Sequence, residues 1–230
     1  MQFIILTQNS GSMKGLQFDI EGIHFCCFRQ PASTSVILSY SIPPFTTIRG
    51  LIECALGMQR DSYFLQEQIK IGLKPLNKPE KVTELARILK FISRQKEQVF
   101  YKNFPSAPMF RSFLVAPQYR IFIVGDPELI DMIAQKLKTP ERPCYLGQSD
   151  DMIDISNIKM QPVQEKKSCS ISSIIEGIHE DCEIIRVPYQ FINNGSDIEM
   201  KVLSIPQKFP YNLKEEISCV SFNDENISIY

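Results

Sequence analysis

His24 and His179 are the only imidazoles in a chain of 230 residues. Neither stands beside a cluster of lysines or cysteines of the kind that general acid–base chemistry draws on, so each reads as a structural histidine and no catalytic residue is assigned. Asp150, Asp151 and Asp154, in GQSDDMID, have oxygen ligands to offer a hard cation, but carboxylates that follow a glycine turn are ordinarily solvated, and no metal is expected there. GxxxxGK, GxGxxG, HExxH and GxSxG patterns are absent, which removes the common nucleotide, zinc-protease and serine-hydrolase chemistries; no cofactor is expected. Seven cysteines form an odd set without a CxxC pair, and they read as reduced thiols rather than a disulfide framework or a zinc ribbon.

Anion binding is better represented. In YSIPPFTTIRGL, Thr46 or Thr47 is placed to cap a helix, and Arg49 stands near its N-terminus. A cation there opposes the helix dipole at a cost of about 0.3–1 kcal/mol unless an anion compensates. Gly50 inside the helix costs about 1 kcal/mol relative to alanine, tolerable where a strand or a ligand must come close. A bound phosphate answers both oddities. The alternative is local: Arg49 pairs with Glu53 at i+4, and Gly50 relieves packing against a sheet.

Charge distribution supports a polyanion over the net value of −1. Residues 70–120 hold eleven Lys and Arg against three Glu, while the remaining chain holds 14 basic and 23 acidic residues. Arg87, Lys90, Arg94, Lys102 and Arg111 are interleaved there with Phe91, Phe100, Tyr101, Phe104, Phe110 and Phe113, a mixture able to neutralise phosphates and stack on bases. The alternative is a solvated basic face over core aromatics.

The elements that must position these residues follow from periodicity. Leu16, Phe18 and Ile20 alternate, predicting a strand over 15–22. Ile48, Leu51, Ile52, Ala55 and Leu56 recur with helical spacing up to Gly57. Ile69, Ile71 and Leu73 alternate with lysines in a second strand over 68–75. Val82, Leu85, Leu89 and Ile92 suggest a basic amphipathic helix, after which the prolines of 103–110 predict a loop. A strand over 119–124 precedes a helix capped by Asp126, with Pro127 at its first position and a stop at Thr139–Pro140. A further strand fits 152–160.

This order is βαββαβ: an α+β, ferredoxin-like (RRM-like) domain over 13–162 with an insertion at 76–110, and a small β-rich region over 163–230. Residues 1–12 read as a leader or non-native extension before Met13. The opening apolar run is too short for a membrane span and lacks a basic n-region, so the expectation is a cytoplasmic protein.

FDIEG with FRQP, YSIPPFTTIRGLIECALG, FLVAPQYRIFIV, PERPCYLGQSDD and IIRVPYQF occur in an order and spacing that resembles the Cas-five family, the RAMP subunits that cap the 5′ handle of the crRNA in type I CRISPR Cascade complexes. The most specific pieces are Tyr40–Leu51 and the Y-L-G-x-S run of Tyr145–Ser149. The resemblance implies a thumb in the insertion and partners comprising the crRNA handle, the Cascade large subunit and the last backbone subunit. It carries Tyr40, Pro43, Pro44, Thr46, Thr47, Arg49 and Gly50 over as a handle-facing turn, and Tyr145, Gly147 and Ser149 as a second motif. One branch of the family cleaves repeat RNA with a tyrosine, a lysine and a histidine. No Lys-His dipeptide exists here and no histidine lies in the central half, so a non-catalytic scaffold is expected, with a metal-independent endoribonuclease as the alternative. A ferredoxin-like enzyme that binds a small anion is a second alternative.

Overall fold

The computed structural model describes residues 13–31, 36–89 and 106–230. In chain order its elements are β1 Lys14–Gly22, β2 Phe25–Cys26, β3 Val36–Ile37, α1 Phe45–Ala55, α2 Leu65–Gln68, β4 Ile69–Pro75, β5 Lys81–Leu89, β6 Ser106–Val115, β7 Gln118–Gly125, α3 Pro127–Lys138 and β8 Ile153–Pro162. The remainder is β9 Gln164–Ile171, β10 Ile175–Glu176, β11 Cys182–Ile192, β12 Asp197–Pro206, β13 Tyr211–Phe222 and β14 Glu225–Ile227.

Alternation of apolar residues in β1 decides the central layer. Leu16, Phe18 and Ile20 stand opposite Ile123, Ile121 and Tyr119 of β7, and all six are buried. The sheet runs β4–β7–β1–β8 with every neighbouring pair antiparallel. On the face those residues share, α1 contributes Ile48, Leu51, Ile52 and Ala55, and α3 contributes Leu129, Ile130, Ile133 and Leu137, to one continuous apolar core. Asp126 caps α3, its carboxylate accepting from the N–H of Glu128 at 2.9 Å.

On the opposite face Phe122 and Val124 pack with Val163, between β8 and β9, and with Phe222 and Ile227 of the C-terminal strands, and the rings of Phe122 and Phe222 meet edge-on at 4.9 Å. Ile174, Val187 and Leu203 join the helix-side core, so residues beyond 163 add to both faces. Backbone bonds between Ile71 and Tyr230, in both directions, extend the β4 edge.

Two local expectations are overturned. Residues 81–89 form a strand, not a basic helix, because each pairs antiparallel with β6, from Lys81↔Leu114 to Leu89↔Ser106. The proline-rich stretch is strand from Ser106 onward, with Pro108 opposite Arg87. A hairpin with little buried on either face has no core side to impose an alternating pattern. Its base is held by β2 and β3, which pair with β6 along its other edge. Lys90, Arg94 and Lys102, together with Phe91, Phe100, Tyr101 and Phe104, lie outside the described residues. Among the described residues no helix is long and apolar enough to cross a membrane.

Candidate functional site

The turn before α1 is anchored on all sides. Tyr40 is buried, its N–H donating to the Phe28 carbonyl at 2.9 Å, and the hydroxyl of fully buried Tyr119 donates to the Ser41 carbonyl at 2.8 Å. Pro43 and Pro44 are buried too, and Pro44 is the residue that enters the helix, its carbonyl accepting from the N–H groups of Thr47 and Ile48. Neither threonine caps: the cap position is held by Pro44, without a side-chain hydrogen bond. Pro44 takes the position before the first helical residue, which moves both threonines inside the helix and Arg49 into its second turn.

Arg49 is only 3% exposed. Its Nη1 donates to the Tyr189 carbonyl of β11, and its guanidinium carbon stands 5.1 Å from the centre of the Tyr189 ring. Among the described residues, Nε and Nη2 are buried without a hydrogen-bond partner. Burial pushes the guanidinium below its ordinary value, opposed by Tyr189 and Glu53. Glu53 does not take up those donors: its carboxylate faces the N–H of Leu65 at 3.4 Å, and burial raises its pKa. The local i+4 explanation therefore fails, and so does packing as a reason for Gly50, since a Cβ there meets nothing within 4 Å.

Arg49 and exposed Gly50 instead open on a cleft of about 500 Å³. Thr46, Thr47 and Cys54 of α1 line it together with Arg142, Tyr145 and Gly147, and with Arg60, Tyr63 and Phe191. The two sequence motifs, about a hundred residues apart in the chain, thus line one space. Gly147 is required by its loop: φ is +110°, and a Cβ would come within 2.8 Å of the Cys27 carbonyl oxygen. That loop is pinned by Asp151, which is buried, not solvated as its sequence context suggests. Its Oδ2 accepts from the N–H groups of Cys27 at 2.8 Å and Gln148 at 3.1 Å, while burial raises its pKa. Ser149 is exposed on the loop but does not line the cleft.

The cationic middle is less free than its composition implies. Lys70 faces Glu165, Lys74 faces Glu225, and Arg120 forms a two-pronged pair with Asp19 at 2.6 and 2.9 Å. Arg111 lies 3.7 Å from Asp151 and 4.2 Å from the centre of the Phe113 ring, away from the cleft. Of Arg87 and Arg111, the two sequence-assigned cations of this stretch that are described, Arg87 alone is exposed.

Sequence reasoning missed Arg60, Tyr63, Arg142 and the Tyr189–Phe191 wall. Gln66 holds that wall in place, its amide accepting from the Phe191 N–H at 2.6 Å and donating to the Phe191 carbonyl at 3.1 Å. The IIRVPYQF segment carried the signal for Tyr189 and Phe191.

A β-rich, mixed α/β chain with few helices, whose helix entrance and glycine loop share one cleft, is the class that this geometry defines. The family model described as CRISPR-associated protein (Cas_Cas5) matches residues 15–190, and the chain belongs to that family. No curated protein matches it. Among solved structures, a CRISPR protein from Archaeoglobus fulgidus aligns over 94% of this chain and 98% of its own, with TM-score 0.58 and 16% identity. A chain from a CRISPR RNA-guided surveillance complex aligns over 87% and 95%, with TM-score 0.55 and 12% identity. A Cas protein aligns over 86% and 98%, with TM-score 0.52 and 15% identity. At these identities the likeness is one of fold.

Proposed function

We propose that this protein is a non-catalytic Cascade subunit that holds the repeat-derived 5′ handle of the crRNA in the cleft between α1 and the Tyr145–Gly147 loop. In this reading the four-stranded sheet with α1 and α3 is a ferredoxin-like domain over residues 13–162, the β5–β6 hairpin is the thumb, and residues 163–230 are a C-terminal region that completes the cleft. The complex's large subunit and last backbone subunit are the protein partners.

The observation that carries the reading is Arg49: a buried guanidinium with two unpartnered nitrogens beside a cleft. Buried donors without partners cost about 1–3 kcal/mol each, and a phosphate in the cleft matches the charge and takes up both once the guanidinium turns outward from Tyr189. Gly50 leaves the same wall open for a nucleotide backbone.

The test is purification of the tagged protein from its native host. Short RNAs sharing one repeat-derived 5′ end, together with Cascade subunits, are expected to accompany it; recovery without RNA refutes the reading. His24 and His179 both lie outside the cleft lining. Repeat RNA incubated with the purified protein in EDTA is accordingly expected to stay intact, and its cleavage would establish the endoribonuclease instead.

A further inference from the structure

The Cys54 and Cys144 thiols are hydrogen-bonding neighbours, although they are far apart in the chain. Cys54 lies on α1, and its Sγ donates to the Pro143 carbonyl at 3.6 Å. The Cys144 thiol donates to the Arg142 carbonyl, also at 3.6 Å. The two strips of backbone run together: the Glu141 N–H bonds the Ala55 carbonyl at 3.0 Å, and Arg142 Nη2 bonds the Gly57 carbonyl at 3.1 Å. Both sulfurs are free and half-buried, unlike Cys26, Cys27 and Cys219, which are shut in the core. Cys54 lines the open cleft, whereas Cys144 packs against the apolar core.

We propose that Cys54 and Cys144 form a thiol–disulfide exchange site that takes a low-molecular-weight disulfide such as oxidised glutathione. The thiolate of Cys54, reached from the cleft, attacks one sulfur of the small disulfide, forming a mixed disulfide and releasing one small thiolate, which takes up a proton. Cys144 then loses its proton and attacks the Cys54 sulfur, forming the Cys54–Cys144 bond and releasing the second small thiol. In sum, two protein thiols are oxidised by two electrons and one small disulfide is reduced to two thiols. Burial and the neighbouring Cys54 thiol raise the pKa of Cys144, so the second step accelerates as pH rises above neutrality. The new bond ties α1 to the loop that carries Arg142, Tyr145 and Gly147. This chemistry stands independently of what fills the cleft.

The full chain is incubated with oxidised glutathione, quenched with acid, and examined by intact mass and by peptide mapping without reduction. The expected product has lost two hydrogens and yields one linked peptide pair, Cys54 with Cys144, and its unfolding temperature rises by several degrees because a long loop is closed. The Cys144→Ser variant is expected to retain glutathione on Cys54, and Cys54→Ser to gain no intramolecular bond. A native mass that does not change, or a linked pair formed from Cys169 or Cys182, overturns the assignment. Retention of glutathione on Cys144 in the Cys54→Ser variant reverses the order of attack and overturns the mechanism.

Discussion

Replacing Arg49 by lysine separates what the guanidinium does for the fold from what it does in the cleft. Lysine keeps the positive charge, and its ammonium can still donate to the Tyr189 carbonyl, a charge-assisted bond worth about 1.5–3 kcal/mol. What it discards is the planar fork, including Nε and Nη2, which have no partner among the described residues. If a phosphate takes those two donors, the substitution costs about 1–3 kcal/mol of binding, roughly 5- to 150-fold in affinity. Arg49→Met goes further by removing the charge. It leaves the Tyr189 carbonyl unpaired but also relieves the burial of two unpartnered N–H groups, two contributions of opposite sign, so stability is expected to move less than affinity. Fluorescence anisotropy with a labelled single-stranded RNA matching the host's repeat-derived 5′ end, run across a salt series, reads both. Arg49→Lys is expected to weaken binding while leaving the salt slope near that of the unmodified protein. Arg49→Met is expected to weaken it further and to flatten the slope of log K against log salt by about 0.7. Unchanged affinity and slope in both variants, with unfolding temperatures showing them folded, would refute the reasoning and leave Arg49 a purely structural residue.

Two glycines are expected to respond in opposite directions to the same change. Gly147→Ala places a methyl against the Cys27 carbonyl in a backbone conformation with φ +110° and should lower stability by about 1–3 kcal/mol in urea unfolding. Gly50→Ala adds its methyl to open space on an exposed helical turn and should raise stability by about 1 kcal/mol, while weakening RNA binding through the space it occupies. Asp19 gives a pH signature: burial raises its pKa, but the hydrogen bonds and charge of Arg120, with the amide of Asn157, outweigh this and hold it below its ordinary 3.8. Its contribution is therefore complete above pH about 4 and lost as pH falls below that value. The acid limb of thermal stability should be shallower in Asp19→Asn than in the unmodified chain.

Most of the central sheet and its helices were readable because each buries one face, and burial writes a period of two or 3.6 into the sequence. Leu16, Phe18 and Ile20 show the first; Leu129, Ile130, Ile133 and Leu137 the second. The β5–β6 hairpin shows neither. Val82 and Leu85, spaced as if on a helix, are 42% and 64% exposed, so no core selected their spacing. The two threonines were misread for a different reason: Pro44, with its fixed φ, takes the helix entrance two residues ahead of the first threonine. Both motifs of the cleft were legible as motifs, and Arg49 as a residue for an anion, yet the contact that seats its guanidinium was not. Its carbonyl partner is Tyr189, 140 residues further along, and neither propensity nor periodicity carries such information.

That separation also sets a clock. At about 5–20 residues per second, synthesis of the 140 residues between Arg49 and Tyr189 takes roughly 7–28 s. Throughout that interval α1 exists without the wall that seats its guanidinium, so the emerging chain has the helix but not the cleft. If the cleft binds the handle as proposed, binding begins only once β11 has docked, and a chain stalled before that point would compete for no RNA.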